Sequence, residues 1–364
     1  MRPCQGTAPR IAYGCDRNFS LKSRFLALPI FAERIFGALA QLGERLICIQ
    51  EVSGSIPLGS TIYRLVSERS CLLDELMKVC AITMVHRDHW ALAQWYRHYA
   101  KHLGGEHLYV VAHGADPMVQ TLCPKASVIT IPRETFKGFD RVRGRMLNSF
   151  QTALREVYDW VIRTDADELI CLDPDHYDGF DHLFSTQDAP ALFALGLNVA
   201  EADGDAELDA TQQALQHRKT AVFSGHYSKA WAINEPVSLM RHGVQVKAKR
   251  TPRYAFCLPK GVYLAHLKFA NVTALQDANR HRQEVAASKQ KGVPGTAWED
   301  PCKEAARFFQ SIADMPEKPW QEARDEAYFE LGHKPVRDAE TGIVRCRNIR
   351  FAHRTQLPDW FADF

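Results

Sequence analysis

The 364-residue sequence has no apolar run near the ~20 residues that crossing a bilayer requires. The nearest stretch, 25–40, is interrupted by Glu33 and Arg34 and broken by Pro29. It has no small-residue cleavage site in the right place, so it does not read as a signal peptide. The ten cysteines never form a C-x-x-C pair, which argues against a structural zinc site and for scattered reduced thiols in a cytoplasmic protein. An imbalance of charge is also missing: 45 Lys and Arg face 43 Asp and Glu, net +2. That excludes a broad basic field for nucleic acid. No internal repeat is visible. What is present is ordinary for a globular chain with a core, 46% hydrophobic and 24% charged, long enough for one large α/β domain with additions or for two average domains.

Residues 1–76 follow no sustained period, and Gly, Pro and Ser are scattered through them. The stretch 37–61 resembles a transfer-RNA gene read as if it were coding. Arg45 to Glu51 can be spelled CGC CTG ATT TGC ATT CAG GAG, in which CCTGA and TCAGG pair around a loop with TGC at its centre. Gly54-Ser55-Ile56-Pro57 can be spelled GGT TCG ATC CCG, a T-arm sequence. The expectation is a non-native segment with the natural chain starting at Met77, against the plainer reading of a genuine, poorly ordered extension.

From Met77 the pattern becomes regular. Apolar runs at 78–85, 107–112, 127–131 and 160–164 read as strands buried on both faces. Helices are expected between them at 88–102, stopped by Gly104-Gly105, and at 140–158. Strands alternating with helices imply a parallel sheet with right-handed crossovers, whose ligands lie beyond the carboxyl ends of the strands. Further strands are expected at 192–195, 219–223 and 261–269, then helices at 273–291 and 302–312.

Asp165, Asp167 and Glu168 follow the fourth of these strands at that ligand-binding edge. Carboxylates spaced so closely raise each other's pKa, and a divalent cation relieves the repulsion. Hard oxygen ligands suit Mg²⁺ or Mn²⁺, with phosphate oxygens filling the remaining positions. An acidic turn after a strand is the plain structural alternative.

The block Trp160-Val161-Ile162-Arg163-Thr164-Asp165-Ala166-Asp167-Glu168 resembles the D-x-D segment of family 2-like glycosyltransferases. Val85-His86-Arg87-Asp88, the Trp95-containing helix and Tyr109-Val110-Val111 are similar to the opening βαβ unit of that group, although it often reads Arg-Asn-Glu at the entry. The resemblance covers roughly 77–269. It implies a GT-A-like, Rossmann-like α/β domain there, with a mostly parallel sheet flanked by helices, followed by a helical C-terminal addition at 270–364. It further implies a nucleotide-sugar donor and a glycan or lipid-linked acceptor, with peripheral membrane contact left open. Asp165, Asp167 and a late histidine, His266, are implied as metal ligands, with a satisfied core histidine as the alternative. Arg145 and Asn148 are implied near the nucleotide. Asp88 and Asp116 are assigned to its base or ribose, and Ser228 and Lys229 to a phosphate or the acceptor. Glu201, Asp203 and Asp205 are weak candidates for the catalytic base, in a loop acidic throughout.

Two rival readings stay open. A nucleotidyltransferase or phosphohydrolase would use the same acidic metal pair, although Leu169 argues against a haloacid-dehalogenase-type phosphatase. A catalytically silent carbohydrate-binding protein would keep the sheet alone. The reading of the first segment predicts that mass spectrometry of the natural protein finds no peptide from before Met77; any such peptide sinks it.

Overall fold

The computed structural model describes residues 77–133, 139–209, 211–287 and 300–364. The expectation for residues 1–76 therefore lies outside the described residues, and so does the end of the helix expected at 273–291. In chain order the structure runs β1 (Val79–Val85), α1 (His89–Leu103), β2 (Leu108–His113), α2 (Pro117–Leu122), β3 (Ser127–Ile131), α3 (Phe139–Leu154) and β4 (Trp160–Arg163). It continues with β5 (Glu168–Leu172), α4 (Phe180–Ser185), β6 (Ala191–Phe193), β7 (Leu195–Ala200), α5 (Ala214–His217), β8 (Thr220–Phe223), β9 (Ala230–Ile233), β10 (Ser238–Leu239) and β11 (Gly243–Gln245). A 3-10 turn (Ala248–Arg253) leads to β12 (Val262–Phe269), α6 (Val272–Ala287), α7 (Pro301–Asp314), α8 (Trp320–Gly332), β13 (Val336–Asp338), β14 (Ile343–Arg345), β15 (Thr355–Gln356) and α9 (Trp360–Asp363).

The class is α/β, as the alternation implies. A six-stranded sheet has the order β3-β2-β1-β4-β9-β6, with β3, β2, β1 and β4 parallel. A second sheet has the order β15-β8-β7-β12-β5, and a small antiparallel sheet the order β10-β11-β14-β13. Residues 270–364 belong to the same compact unit as 77–269. They supply helices and also three short strands, with β15 extending the second sheet through β8 and β14 pairing with β11. The sequence hid these strands because each is only two or three residues long.

α1 shows why the first sheet forms where it does. Asp88 caps it, its carboxylate accepting from the Ala91 N–H at 3.3 Å. Ala91, Leu92, Trp95 and Tyr99 form a buried stripe at helical spacing, and Gly104, at φ 83°, ends the helix. That stripe does more than fill the core. The Trp95 indole N–H donates to Thr164 Oγ1 at 2.9 Å, and the Tyr99 hydroxyl accepts from the Ile170 N–H at 3.2 Å. Both bonds clamp the segment that leaves β4.

The chain passes between the two large sheets three times close together: from β4 to β5 through 164–167, from β6 to β7 at Ala194, and from β8 back to β9 through 224–229. The crossings are tied to one another. Ala194 N–H donates to Lys229 O at 3.1 Å, and Ser224 N–H to Gly196 O at 2.8 Å. Gly196 N–H donates to Ser228 Oγ at 2.8 Å, and that hydroxyl donates to Ser224 O. Gly196 lies so close to the 224–229 crossing that a Cβ there would sit 2.2 Å from the Tyr227 carbonyl carbon and 2.5 Å from Ser228 N. Backbone cannot yield as a side-chain tip can, so Gly196→Ala is expected to cost at least ~2 kcal/mol by overpacking. A denaturant midpoint unchanged from wild type would contradict this close approach.

Candidate functional site

The acidic turn sits at the seam between the two sheets. Thr164 is buried behind it, and the Glu168 N–H closes the turn onto Asp165 O at 3.0 Å. Glu168 is 1% exposed, and Lys229 from the third crossing sets its ammonium 2.7 Å from Glu168 Oε1 and 3.5 Å from Asp165 Oδ2. Glu168 Oε2 also accepts from the Asp165 N–H. Arg143, from α3, donates to Asp165 Oδ1 at 2.5 Å. Burial opposes ionisation of Asp165, but Arg143 and Lys229 overcome it and hold its carboxyl far below the ordinary range. Burial works against the Lys229 ammonium as well, and Glu168 and Asp165 keep its pKa above the usual lysine value.

Asp167 faces the other way, toward β12. Its main-chain carbonyl accepts from Leu267 N–H at 2.7 Å, and its Oδ2 is 3.4 Å from His266 Nε2. His266 is 3% exposed. Its Nδ1 is hydrogen-bonded to Asn198 Oδ1 at 2.8 Å, which turns Nε2 toward Asp167. The Tyr227 ring stacks on the imidazole at 3.7 Å. The register explains the convergence. His266 pairs with Asn198 of β7 on one side and Glu168 of β5 on the other, and residues in one row share a face of the sheet. Asp88 lies at the rim of this group, in a small cavity lined by Asp167, Lys268 and Arg282. Burial and the nearby Asp167 charge push its carboxyl up to about 6.

The expected set of ligands is thus divided. Asp167 and His266 are together and can donate an oxygen and a nitrogen to one cation. Asp165 is not beside them as a third donor, because Arg143 and Lys229 occupy its carboxylate; among the described residues no group of three or more His, Cys, Asp or Glu is assembled around one point. Lys229 is at the site, but as the internal counter-ion of the turn. Ser228 is fully buried with its hydroxyl engaged twice, so it braces the crossings instead of facing a ligand.

Other expectations also need correction. Asn148 does not face a nucleotide: its Oδ1 accepts from Arg163 at 2.8 Å and from Leu239 N–H at 2.9 Å, and its amide donates to Leu239 O. It fastens α3 to β10. Arg145 is exposed on α3, and the arginine that reaches the acidic turn is Arg143. Glu201 and Asp205 are committed to Arg218, a fully buried guanidinium, at 2.8 and 3.8 Å. Glu201 also accepts from the Val272 N–H at the start of α6. These two carboxylates anchor their loop and are not poised as bases; Asp203 is exposed beside them. Asp116 caps α2 and meets His89 Nε2 at 2.7 Å. It borders a cavity of about 140 Å³ at the carboxyl ends of β1 and β2, with His86, Arg87, Gly114 and Arg133. Arg87 holds a φ of 54°, a conformation uncommon outside glycine and asparagine.

Sequence reasoning missed Arg143, Asn198 and Tyr227. Arg143 carried a weak signal, lying one helical turn before Leu147 on the face of α3 that meets the sheet. Asn198 sits in an otherwise apolar buried strand, and a polar side chain there calls for a partner.

The raised pKa of Asp88 gives a pH dependence. Its folded value, about 6, exceeds the ordinary 3.8, so the folded state binds the proton more tightly. Its relative contribution is fully present below pH 3.8 and is lost as pH rises through 6. Asp88→Asn keeps a helix cap and removes the charge. In chelator at pH 7.5 this variant is expected to be about 1–2 kcal/mol more stable than wild type, the difference closing toward pH 4. Denaturant titrations at the two pH values check it, and a variant less stable at pH 7.5 contradicts it.

No protein-family model matches this chain, and no curated protein does. Among solved structures, 4-diphosphocytidyl-2C-methyl-D-erythritol synthase is similar at 17% identity over 38% of this chain and 66% of that one, with a TM-score of 0.23. A cytidylyltransferase from Leptospira borgpetersenii serovar Hardjo-bovis is similar at 12% identity over 32% of this chain and 54% of that one, with a TM-score of 0.21. The chain thus spans 66% and 54% of the lengths of these neighbours, and a likeness this faint carries no argument about what it does.

Proposed function

We propose that the chain is a cation-assisted glycosyltransferase that takes its sugar from a nucleotide-sugar donor. The observation that carries this reading is the pairing of Asp167 with the Nε2 face of His266 at the carboxyl end of β4, with Asn198 holding the imidazole from behind. A carboxylate oxygen and an imidazole nitrogen 3.4 Å apart pair through a proton, and a shared cation can take that proton's place. Mn²⁺ fits this oxygen-and-nitrogen pair better than Mg²⁺. Such a cation would neutralise the charge that grows on a departing nucleoside diphosphate. Asp167 and His266 would hold it. Arg143, a quarter exposed beside the turn, supplies a guanidinium on the side where phosphate oxygens would lie. The cavity bordered by Asp116, Arg87 and Arg133 lies at the ends of the neighbouring strands and has room for a base or ribose. Lys229 ties Asp165 to Glu168 and, with Arg143, keeps Asp165 ionised, so the turn holds its shape as charge arrives and leaves. The acceptor would be a glycan or lipid-linked glycan.

Calorimetric titration of UDP and GDP, with and without Mn²⁺, tests this reading. Binding is expected to be strengthened by the cation and weakened at least tenfold by Asp167→Asn or His266→Ala. Asp165→Asn is expected to act differently, lowering the denaturant midpoint more than Asp167→Asn does, because it strips the partner from Arg143. Binding unaffected by Mn²⁺ in the wild type would remove the donor assignment. Release of pyrophosphate from a nucleoside triphosphate and a sugar phosphate, without sugar transfer, would favour a nucleotidyltransferase.

A further inference from the structure

The stretch from residue 236 to residue 276 contains no Asp or Glu. Four of its cations, Lys247, Lys249, Arg250 and Arg253, are exposed and crowd into the 3-10 turn Ala248–Arg253 and its cap. None of these four side chains has an ion pair or hydrogen bond to another described residue. The turn that carries them is firmly set. Thr251 is fully buried, its carbonyl accepts from Arg337 at 2.7 Å, and Val246 N–H donates to Gly342 O at 2.9 Å. Like charges packed onto a fixed turn repel one another, and folding gains nothing from placing them there.

The neighbouring strands deepen the field. Arg337 of β13 lies against the turn, and Arg345 of β14 pairs with Val336, the residue before Arg337. The carboxylates on this side are Asp338, engaged by the N–H groups of Glu340 and Thr341 and by the Thr341 hydroxyl, the exposed Glu340, and the exposed Glu235 near Tyr254 at the end of the turn. Cations thus outnumber carboxylates around the turn. The patch is also close to the site. His242, which precedes β11, packs on His226 at 4.0 Å, and His226 adjoins Tyr227. From Gly243 to Gln245 the strand covers only about 10 Å before the turn begins.

We propose that the 247–253 turn docks the protein on an anionic phospholipid surface. A plane of charged headgroups takes exposed Lys and Arg through unordered Coulomb attraction and needs no pocket. A single strand of nucleic acid calls instead for aromatic platforms between the cations. The aromatic here, Tyr254, is half-buried with its hydroxyl enclosed. No helix among the described residues is long and apolar enough to cross a membrane, so the docking is peripheral and electrostatic. It does not depend on the donor chemistry proposed above.

The test is co-sedimentation of the full chain with vesicles of phosphatidylcholine alone or with about one third phosphatidylglycerol, the range in which a basic cluster responds to surface charge. Binding is expected only to the anionic vesicles, falling steeply with added salt. The variant with Lys247, Lys249, Arg250 and Arg253 all changed to Gln should bind more than tenfold more weakly, with an unchanged circular-dichroism melt. If that variant folds poorly, Lys247→Gln with Lys249→Gln should show a smaller loss in the same direction. Equal binding by wild type and variant, or equal binding to neutral vesicles, overturns the proposal. Capture of heparin or RNA without vesicle binding also overturns it and assigns the turn to a polyanion.

Discussion

The contact on which the rest of the site depends is the Lys229 ammonium set between Glu168 and Asp165. Three carboxylates fall within four consecutive residues, at a turn where little water reaches Glu168. Left alone, such a group takes up protons or unfolds the turn. Lys229 offsets part of that cost for Glu168, whose carboxyl burial still pushes above its ordinary value, and Arg143 joins Lys229 at Asp165. A buried pair of this kind adds little net stability, but losing one member typically costs about 3–5 kcal/mol because the other is left charged and buried. Its effect is to fix which carboxylate is spare. Asp167 keeps no arginine or lysine within ion-pair distance among the described residues and turns to His266.

This division follows from topology. The turn and Lys229 lie on two of the three adjoining crossings between the large sheets, and Ala194 lies on the third of these. Residues 61 positions apart or more are brought into contact because β4 and β9 pair in one sheet while β5, β7 and β8 build the other. The site is therefore only as rigid as the hydrogen bonds that join the crossings, from Trp95 to Thr164 and from Gly196 to Ser228. The serine expected to touch a ligand instead holds the ligand-bearing crossing in place.

The first half of the fold was legible because β1, β2 and β4 are largely buried and α1 is amphipathic and capped, although β3, expected buried on both faces, is an edge strand that is half-buried to exposed. β1, β2, β3 and β4 and the helices between them lie within a few residues of where periodicity put them. The acidic cluster was legible by its place at a strand end. Pairings across the seam were not. Arg143 and Arg145 look alike in the sequence, and only the helix phase relative to β4 separates them. The acidic loop 201–209 misled for a related reason. Two of its carboxylates, Glu201 and Asp205, answer to Arg218, which is 0% exposed and bonded to Ala270 O, Ala206 O and Glu201. A lone arginine in a polar stretch gives no sign that it will be the centre of a buried network.

The two acidic groups nonetheless differ in a way that bears on their roles. Around Arg218, every charge has an opposite partner or a backbone donor, as expected of a purely structural cluster. At the seam the compensation stops short. Burial works against the Asp167 charge and His266 outweighs it, holding that carboxyl below its ordinary range, while Asp88 beside it is pushed toward the proton. Selection for stability alone readily removes such repulsion, for instance with an asparagine cap. Local destabilisation kept next to a fully satisfied scaffold is the pattern that a binding site for positive charge leaves behind. Asp88 and Asp167 fit that pattern, as the proposed cation site requires, and the acidic loop around Arg218 does not.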